Sequence, residues 1–568
     1  MNRFFYWIGL FTTLLSCWLY AAEPVALYSV QEESLELTHS AANPFAEIDL
    51  ELDVRAPARR QPQARFAWFG FYDGDGQGGQ TGNVWKFRLM LDVPGEWNVT
   101  AVFRDSATGQ ELAPAQSFAY SVAAKAAPGH CGHITRDPQN PMRLAFADGT
   151  PWVPFPLHSS FLLDHENAMR SQWIREHAAR GVNALGVRFH AEAANALGVA
   201  GNWQFLAADG SRVTRWPETG ANGFDYARPD LAGWRYYEEG LDLAERNGIY
   251  LHIWFGMSGD NRQYHSYGPQ DWIQDGELGP QQKRFIRYFL ARWAALPVWW
   301  HWTVDSEYEE GPGDDLARDR AWAAEFQQLN PWPTLITTHV LRQWTPSTAP
   351  EYDLATLQLR VPQDPSRIVS DSVGFVEQTL GFGLPVFNAE GVWSLRTVED
   401  SRIATLAHYF AGGFSHVAHT EDSSDKGHHA SSWGCEWDNV NPRHKDDADM
   451  LGQLSRFFNA PEQAAFNRAH PAHDLVTLAG GHHALCLADP GRFYAVWLDE
   501  GGTASLDLSD APSPSRSHVT TEIVCKRPPQ NSTRCKAAGP SPCPPPLEPA
   551  MVKTPSIYCA PWTGPRSP

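Results

Sequence analysis

A chain of 568 residues that is 43% hydrophobic, with 24 Trp and 29 Phe, has material for large cores and divides into several domains. Its formal charge of -20 and pI near 5.5 exclude general binding to duplex DNA or anionic membrane over most of the surface. Between the first segment and residue 511 the only cysteines are Cys131, Cys435 and Cys486, too few and too far apart for a disulfide framework.

Met1-Asn2-Arg3, the apolar run from Phe4 to Leu15 and the small-residue exit Ala21-Ala22 have the form of a secretory signal peptide over 1–22. Leu14-Leu15-Ser16-Cys17 offers a second processing route, in which Cys17 carries a lipid anchor. Either route predicts export: to the periplasm or the extracellular space, or to the outer membrane as a lipoprotein. No later run of 18 apolar residues occurs, so no transmembrane segment is expected.

Residues 23–125 read as a β-sandwich. Ile48–Val54 and Trp85–Leu89 alternate apolar and polar residues, as half-buried strands do, and Val93-Pro94-Gly95-Glu96 is a turn. The stretch from Gly70 to Asn83 is too glycine-rich for a regular element. Its Asp73 and Asp75 lack the further oxygen ligands of a helix-flanked calcium loop, so a tight turn against the neighbouring domain is expected.

Residues 126–460 read as a (β/α)8 TIM barrel. Strands are predicted at 152–157, 182–188, 249–254, 298–304, 334–337, 353–358, 385–389 and 413–417, alternating with helices such as Leu231–Asn247, which Gly248 ends. An open doubly wound sheet is the alternative, but no Gly-x-Gly-x-x-Gly loop follows the first strand. Residues 461–510 begin a small β module that is left incomplete. From 511 to 568 the chain holds 14 of the 43 prolines and seven Lys/Arg against two Asp/Glu. Such a tail is expected to be disordered or to be a frame-shifted translation of the module's last strands.

The candidate chemistry lies at strand ends. Glu307 is the first Glu beyond the fourth strand, and Glu390 closes the seventh; two carboxyl groups facing across a cleft are what glycosidic-bond hydrolysis requires. Glu307 is expected to donate the proton, its pKa raised by neighbouring carboxylates and Trp302, and Glu390 to act as nucleophile. Around them the strand ends bring His158, Arg188, His190, His252, Trp254, His339 and His416. Arg188 is placed to hold Glu390 ionised, and the histidines to donate to sugar hydroxyls. Trp254, Trp302, Trp393 and Trp433 are the expected sugar platforms. The insertions at 190–226, with Trp203 and Trp216, and 256–272, with Arg262, would wall one side of the cleft.

Rival chemistries lack their motifs. His416-x-x-His419 and His428-His429 could serve zinc, but no His-Glu-x-x-His pair is present. Gly-x-Ser-x-Gly is absent as well. Neither metal nor cofactor is expected.

With Gly70-Phe71-Tyr72-Asp73-Gly74, Phe146-Ala147-Asp148-Gly149-Thr150-Pro151, Trp302-Thr303-Val304-Asp305-Ser306-Glu307-Tyr308 and Pro385-Val386-Phe387-Asn388-Ala389-Glu390, the chain resembles a family of secreted bacterial proteins. They join an N-terminal immunoglobulin-like domain of unknown function, a clan-A glycoside hydrolase barrel and a small C-terminal β-domain that carries a collagen-binding label. The resemblance implies a glycoside hydrolase that works by double displacement with retention; the substrate expected is a plant or algal polysaccharide or its oligosaccharides. It implies Glu307 as acid/base, Glu390 as nucleophile and Arg188 beside the nucleophile. Ser306 departs from the family, many of whose members place Asn before the acid/base. That departure motivates an alternative, a non-catalytic carbohydrate-binding surface protein on a decayed barrel.

Overall fold

The computed structural model describes residues 24–159, 162–164, 167–189, 216–220, 223–255, 278–304, 314–339, 349–358, 361, 364–392, 397–417, 442–478, 483–499, 502–508, 520–525 and 556–559. At the N-terminus lie β1 (Val25–Leu27), β2 (Val30–Glu36), the one-turn helix α1 (Pro44–Glu47), β3 (Ile48–Arg55), β4 (Arg65–Phe69), β5 (Phe71–Tyr72), β6 (Val84–Met90), β7 (Gly95–Asp105) and β8 (Gln116–Ala126). They form two sheets, β1-β8-β7-β3-β4 and β2-β6-β5. Alternation decides the faces: Ile48, Leu50, Leu52 and Val54 are buried, while the residues between them turn outward. Trp85 meets Phe103 edge-on at 5.4 Å and Phe87 meets Phe118 at 5.2 Å, which closes one sheet on the other.

Below the barrel sits a small sheet of β9 (Ile134–Arg136), β10 (Leu144–Phe146) and β11 (Pro151–Trp152). The barrel and its helices follow in order: β12 (Pro156–His158), α2 (Asn167–Arg180), β13 (Ala184–Arg188), a hairpin of β14 (Glu218–Gly220) and β15 (Gly223–Phe224), α3 (Leu231–Arg246), β16 (Tyr250–Trp254), α4 (Pro280–Trp293), β17 (Trp299–Thr303), α5 (Asp314–Leu329), β18 (Leu335–Thr337), β19 (Ala355–Leu357), α6 (Pro365–Leu380), β20 (Val386–Val392), α7 (Val398–Phe410), β21 (Phe414–Val417) and α8 (Pro442–Phe458). The ladder runs β18-β17-β16-β13-β12-β21-β20-β19, a nearly closed eight-stranded parallel sheet. Its seam, between β18 and β19, is closed by Asp353 N donating to Ile336 O at 2.8 Å, Ile336 N donating to Asp353 Oδ2 at 3.0 Å and the Thr337 hydroxyl donating to Leu354 O at 3.1 Å.

The predicted first strand is divided. Pro154 and Pro156 have no N–H to give a ladder, so Trp152 joins the floor sheet and only Pro156–His158 joins the barrel. From the floor, Trp152 packs on Tyr250 at 5.4 Å and Trp300 at 5.8 Å. Helix α3 starts where Asp230 accepts from Ala232 N and Gly233 N, and it stops before Gly248, whose φ of 68° favours glycine.

The C-terminal module has two sheets built from β22 (His470–Pro471), β23 (Val476–Leu478), β24 (Ala484–Asp489), β25 (Phe493–Leu498), β26 (Gly502–Asp507), β27 (Thr520–Cys525) and β28 (Ser556–Cys559), in the orders β22-β24-β25-β28 and β23-β26-β27. Strands β27 and β28 come from 511–568, the stretch read as a disordered or frame-shifted tail. Composition hid them, because two short segments borrow ladders already formed by β25 and β26. Cys131 is disulfide-bonded, whereas Cys486 is a buried free thiol. Among the described residues no helix is long and apolar enough to cross a membrane.

Candidate active site

Because β17 and β20 are parallel strands of one barrel, their carboxyl ends open on the same face. Strand β20 includes Glu390, and Glu307 follows Thr303, the last residue of β17, by four positions. Glu307, Ser306, His190, Trp393 and Trp433 lie outside the described residues, as do Trp203 and Arg262. Glu390 and Arg188 are described through their backbones. Arg188 ends β13 in register with Trp254 on β16, and Phe189 N donates to Trp254 O at 2.9 Å just beyond.

The backbone around Glu390 is irregular. Asn388 pairs with Ser415 and Val392 with Val417, so four steps on β20 span two on β21. A bulge of this kind at the rim of a barrel re-aims the strand, and the parity set by the inward Phe387 does not carry through to position 390. Asn388 turns outward, where its Nδ2 lies 2.8 Å from His408 Nε2 on α7. His408 Nδ1 in turn donates to Ala404 O at 2.7 Å, and burial pushes the imidazole down to about 4, so the ring is neutral and Nε2 accepts from Asn388. A Cβ at Gly391 would meet Asn388 Nδ2 at 2.0 Å, so only glycine lets the strand fold back there. Gly391 O accepts from Val361 N at 2.9 Å, which ties the same turn to the segment after β19.

Beneath this rim the barrel is filled by rings. His158, His252, His301, His339 and His416, from five different strand ends or interiors, are all at most 1% exposed. His252 stacks on His301 with centroids 4.6 Å apart and planes at 11°; His158 stacks on His416 at 5.5 Å. Trp254 lies among them, 5.2 Å from His158, 4.5 Å from His252 and 5.3 Å from His416. Gly186 makes the room, since a Cβ there would stand 2.7 Å from His252 Nε2 and 2.8 Å from Trp254 Cζ3. Burial first, then the charge of neighbouring histidines (His301, His416, His158 and His339 for His252; His416 and His339 for His301), pushes both well below the usual imidazole range. Both are neutral at physiological pH.

Several expectations change. His252 is fully enclosed by rings, and among the described residues neither of its ring nitrogens has a hydrogen-bond partner, so it supports Trp254 rather than donating to a sugar. His158 and His416 likewise lie within the stack, 1% and 0% exposed. Trp254 is turned inward among the histidine rings and is buried, rather than standing as an open platform. His339 approaches Trp254 at 6.2 Å from the end of β18. Trp302 is not a platform: it faces outward, 5.3 Å from Phe289 on α4 and 5.6 Å from Phe326 on α5, and is 1% exposed. Trp216 is no cleft wall either, being wedged against Phe189, Trp234 and Phe285.

His301 is the residue the sequence reading passed over. Between Leu251↔Trp299 and His252↔His301 the ladder skips one residue, so Trp300 and His301 both meet His252, at 5.3 and 4.6 Å. Simple alternation could not reveal that. Among the described residues no group of three His, Cys, Asp or Glu is arranged to hold a metal ion. Asp73 and Asp75 are engaged by protein donors: Asp73 pairs with Lys86 at 3.0 Å and Arg292 at 2.9 Å, and Asp75 accepts from Gln77 N and Gly79 N.

Residues 24–104, most of the sandwich, match a family described as "Domain of unknown function (DUF5060)". No curated protein matches the chain. Among solved structures, a provisionally assigned glycoside hydrolase from Bacteroides vulgatus ATCC 8482 is similar over 86% of this chain and 84% of its own, with a TM-score of 0.60 and 15% identity. A glycoside hydrolase of family 5 from the same organism is similar over 69% of this chain and 90% of its own, with a TM-score of 0.50 and 14% identity. At such identities the likeness is one of fold.

Proposed function

We propose that this protein is a retaining glycoside hydrolase whose nucleophile is Glu390 and whose acid/base is Glu307. The observation that carries the reading is the barrel order. It puts the two strands that lead to these glutamates, the fourth and the seventh, in one parallel sheet, with the backbone at Glu390 held by Asn388, His408 and Val361. The fold likeness to glycoside hydrolases supports the same class of chemistry.

In this reaction the Glu390 carboxylate attacks the anomeric carbon while Glu307 protonates the departing oxygen. Water then gives a proton to Glu307 and attacks the glycosyl ester, which frees Glu390 and retains the configuration. Arg188, at the end of the second strand, keeps Glu390 ionised. The substrate is a plant or algal polysaccharide or its oligosaccharides, met outside the cytoplasm, as the apolar run from Phe4 to Leu15 supports. The length of the insertion between β13 and α3 suits a wall on one side of the cleft, which would favour short chains or chain ends.

The test is a panel of neutral and anionic polysaccharides, with reducing ends and product sizes followed over time. Release from at least one member, with the β-anomer or α-anomer of the substrate preserved in the first product, supports the reading. Ser306 favours a second reading, glycan binding without turnover, and it gains if the same panel shows binding with no release.

A further inference from the structure

We propose that a cavity at the amino ends of β18 and β19 is a second saccharide site, which takes one neutral pyranose on the barrel face opposite the strands' carboxyl ends. The chemistry of the cavity itself carries the inference, whether or not the protein hydrolyses glycans. Its walls come from three places. Arg136 ends β9 of the floor sheet, Gln327 lies in the last turn of α5, and Thr334 and Asp353 stand just before β18 and β19. Barrels of this kind do their chemistry at the other end of the strands, so the cavity has no part in the glutamate site.

The cavity measures about 160 Å³; about 150 Å³ is enough for one six-membered ring. The rings of Trp302 and Trp332 line it, and Trp332 is a fixed wall because its Nε1 donates to Met90 O at 3.1 Å. Two of the lining residues carry buried polar atoms that the fold leaves unused. Thr334 Oγ1 and Trp302 Nε1 are shut off from bulk solvent, and among the described residues neither has a hydrogen-bond partner. Such atoms cost stability until a ligand or a water bonds them. The hydroxyl can donate and accept, whereas the indole only donates. Their complement is a ligand with hydroxyl groups.

The rim decides the charge of that ligand. Asp353 Oδ2 accepts from Ile336 N at 3.0 Å and from Gln327 Nε2 at 3.4 Å, and these bonds hold the carboxyl at the mouth. Arg136 donates through Nε to Pro141 O at 3.1 Å and through Nη2 to Gly383 O at 3.0 Å, which fixes its guanidinium within the same rim. Burial pushes the Asp353 carboxyl up, and Ile336 N, Gln327 and the Arg136 charge offset part of that. An anion would meet Asp353 and a cation would meet Arg136, so neither suits. A bare aromatic ring would strip water from Asp353 and Gln327 and return no hydrogen bond. A pyranose offers an apolar ring face to the indoles and hydroxyls that donate to Asp353 and accept from Gln327. Its closed ring also has less freedom to lose than an open polyol of the same size.

The experiment titrates the full-length protein with glucose, galactose, mannose and xylose and follows hydrogen exchange at 334–336. A ligand of about a dozen non-hydrogen atoms binds in the millimolar range. At about ten times its Kd, at least one of these sugars should slow exchange there about fivefold to tenfold. Thr334→Val keeps the shape and removes the hydroxyl. It should weaken that sugar about tenfold, while Tm without sugar stays level or rises, because an unpartnered buried group is gone. Gln327→Ala, at an exposed helix position, should weaken it about threefold. Absence of protection with all four sugars overturns the proposal. So does a Thr334→Val variant that binds as tightly as the unmodified protein, or one with a lower Tm without sugar, which would mean that the hydroxyl is already bonded within the fold. Equal protection by benzoate or sulfate also overturns it, since the site would then be one for anions. Protection in a protein that hydrolyses no polysaccharide keeps the second site and removes the glycosidase reading; hydrolysis with no protection does the reverse.

Discussion

Asn388 donates through Nδ2 to His408 Nε2 at 2.8 Å, two positions before Glu390. The bond crosses from the seventh barrel strand to the helix that follows it, and His408 is held in the matching tautomer by Ala404 O. A side chain that faces away from the cleft thereby fixes the strand end where the nucleophile is expected. Asn388→Ala leaves the buried Nε2 without a donor, at a cost of about 1–3 kcal/mol of stability. Turnover should fall about tenfold to a hundredfold through displacement of the bulge, with KM little changed. Steady-state kinetics beside denaturant unfolding check both; full turnover in a destabilised variant would show that the bond serves the fold alone.

Glu238 joins the two N-terminal domains through charge. Burial alone would push its carboxyl up, but Arg292 and Arg88 together hold it well below the usual carboxylate range. Glu238→Gln leaves two guanidinium groups facing each other with little solvent, and removal of one partner from such a buried set costs about 3–5 kcal/mol. Urea unfolding should show the sandwich and the barrel losing stability together. An unchanged midpoint would mean that solvent already screens the network.

Acid should weaken the fold earlier than carboxylate titration explains. His252 and His301 are held well below 6.5, and burial pushes His133 and His408 down to about 4 and His177 to about 3. A histidine with a folded pKa below its unfolded value contributes its full stability above about 6.5; that contribution is lost as pH falls from there toward the folded value. Each group removes about 1.4 kcal/mol per pH unit within its window. Glu245, pushed up to about 7, works in the opposite direction and offsets about one of them. Tm should therefore be level from pH 8 to 7 and fall steeply between 6.5 and 5, above the range in which Glu238 titrates. A level Tm down to pH 5 would refute neutral burial of the rings.

Gly186→Ala should disturb the stack directly, because the new Cβ meets both His252 and Trp254. Overpacking of that kind costs about 1–3 kcal/mol. Trp254 is the reporter: its near-ultraviolet circular dichroism should change although β13 remains intact. An unchanged spectrum and Tm would mean that the rings shift aside freely.

The barrel was legible because its strands are short apolar runs separated by well-marked helices, as Asp230 and Gly248 mark α3. Its site was legible only where side-chain parity is simple. Parity fails at 299–301, which hid His301, and at 388–392, which alternation alone would misassign. Trp302 and Trp216 were misplaced for another reason. A Trp near a strand end looks like a sugar platform, yet the outer layer between strands and helices needs large rings as much as a cleft does. Strands β27 and β28 were invisible because each is a short segment in a proline-rich stretch, and the ladder that β28 joins lies far back in the chain at β25.

The central claim is that Glu390 is the nucleophile of a glycosidase. Its most direct test is reducing-end release by the full-length Glu390→Ala variant on the best substrate of the panel, with and without azide. The account predicts turnover down by at least about a thousandfold, about 4 kcal/mol of transition-state stabilisation, an unchanged Tm, and recovery in azide as a glycosyl azide of inverted configuration. Turnover in Glu390→Ala equal to that of the unmodified protein would contradict it.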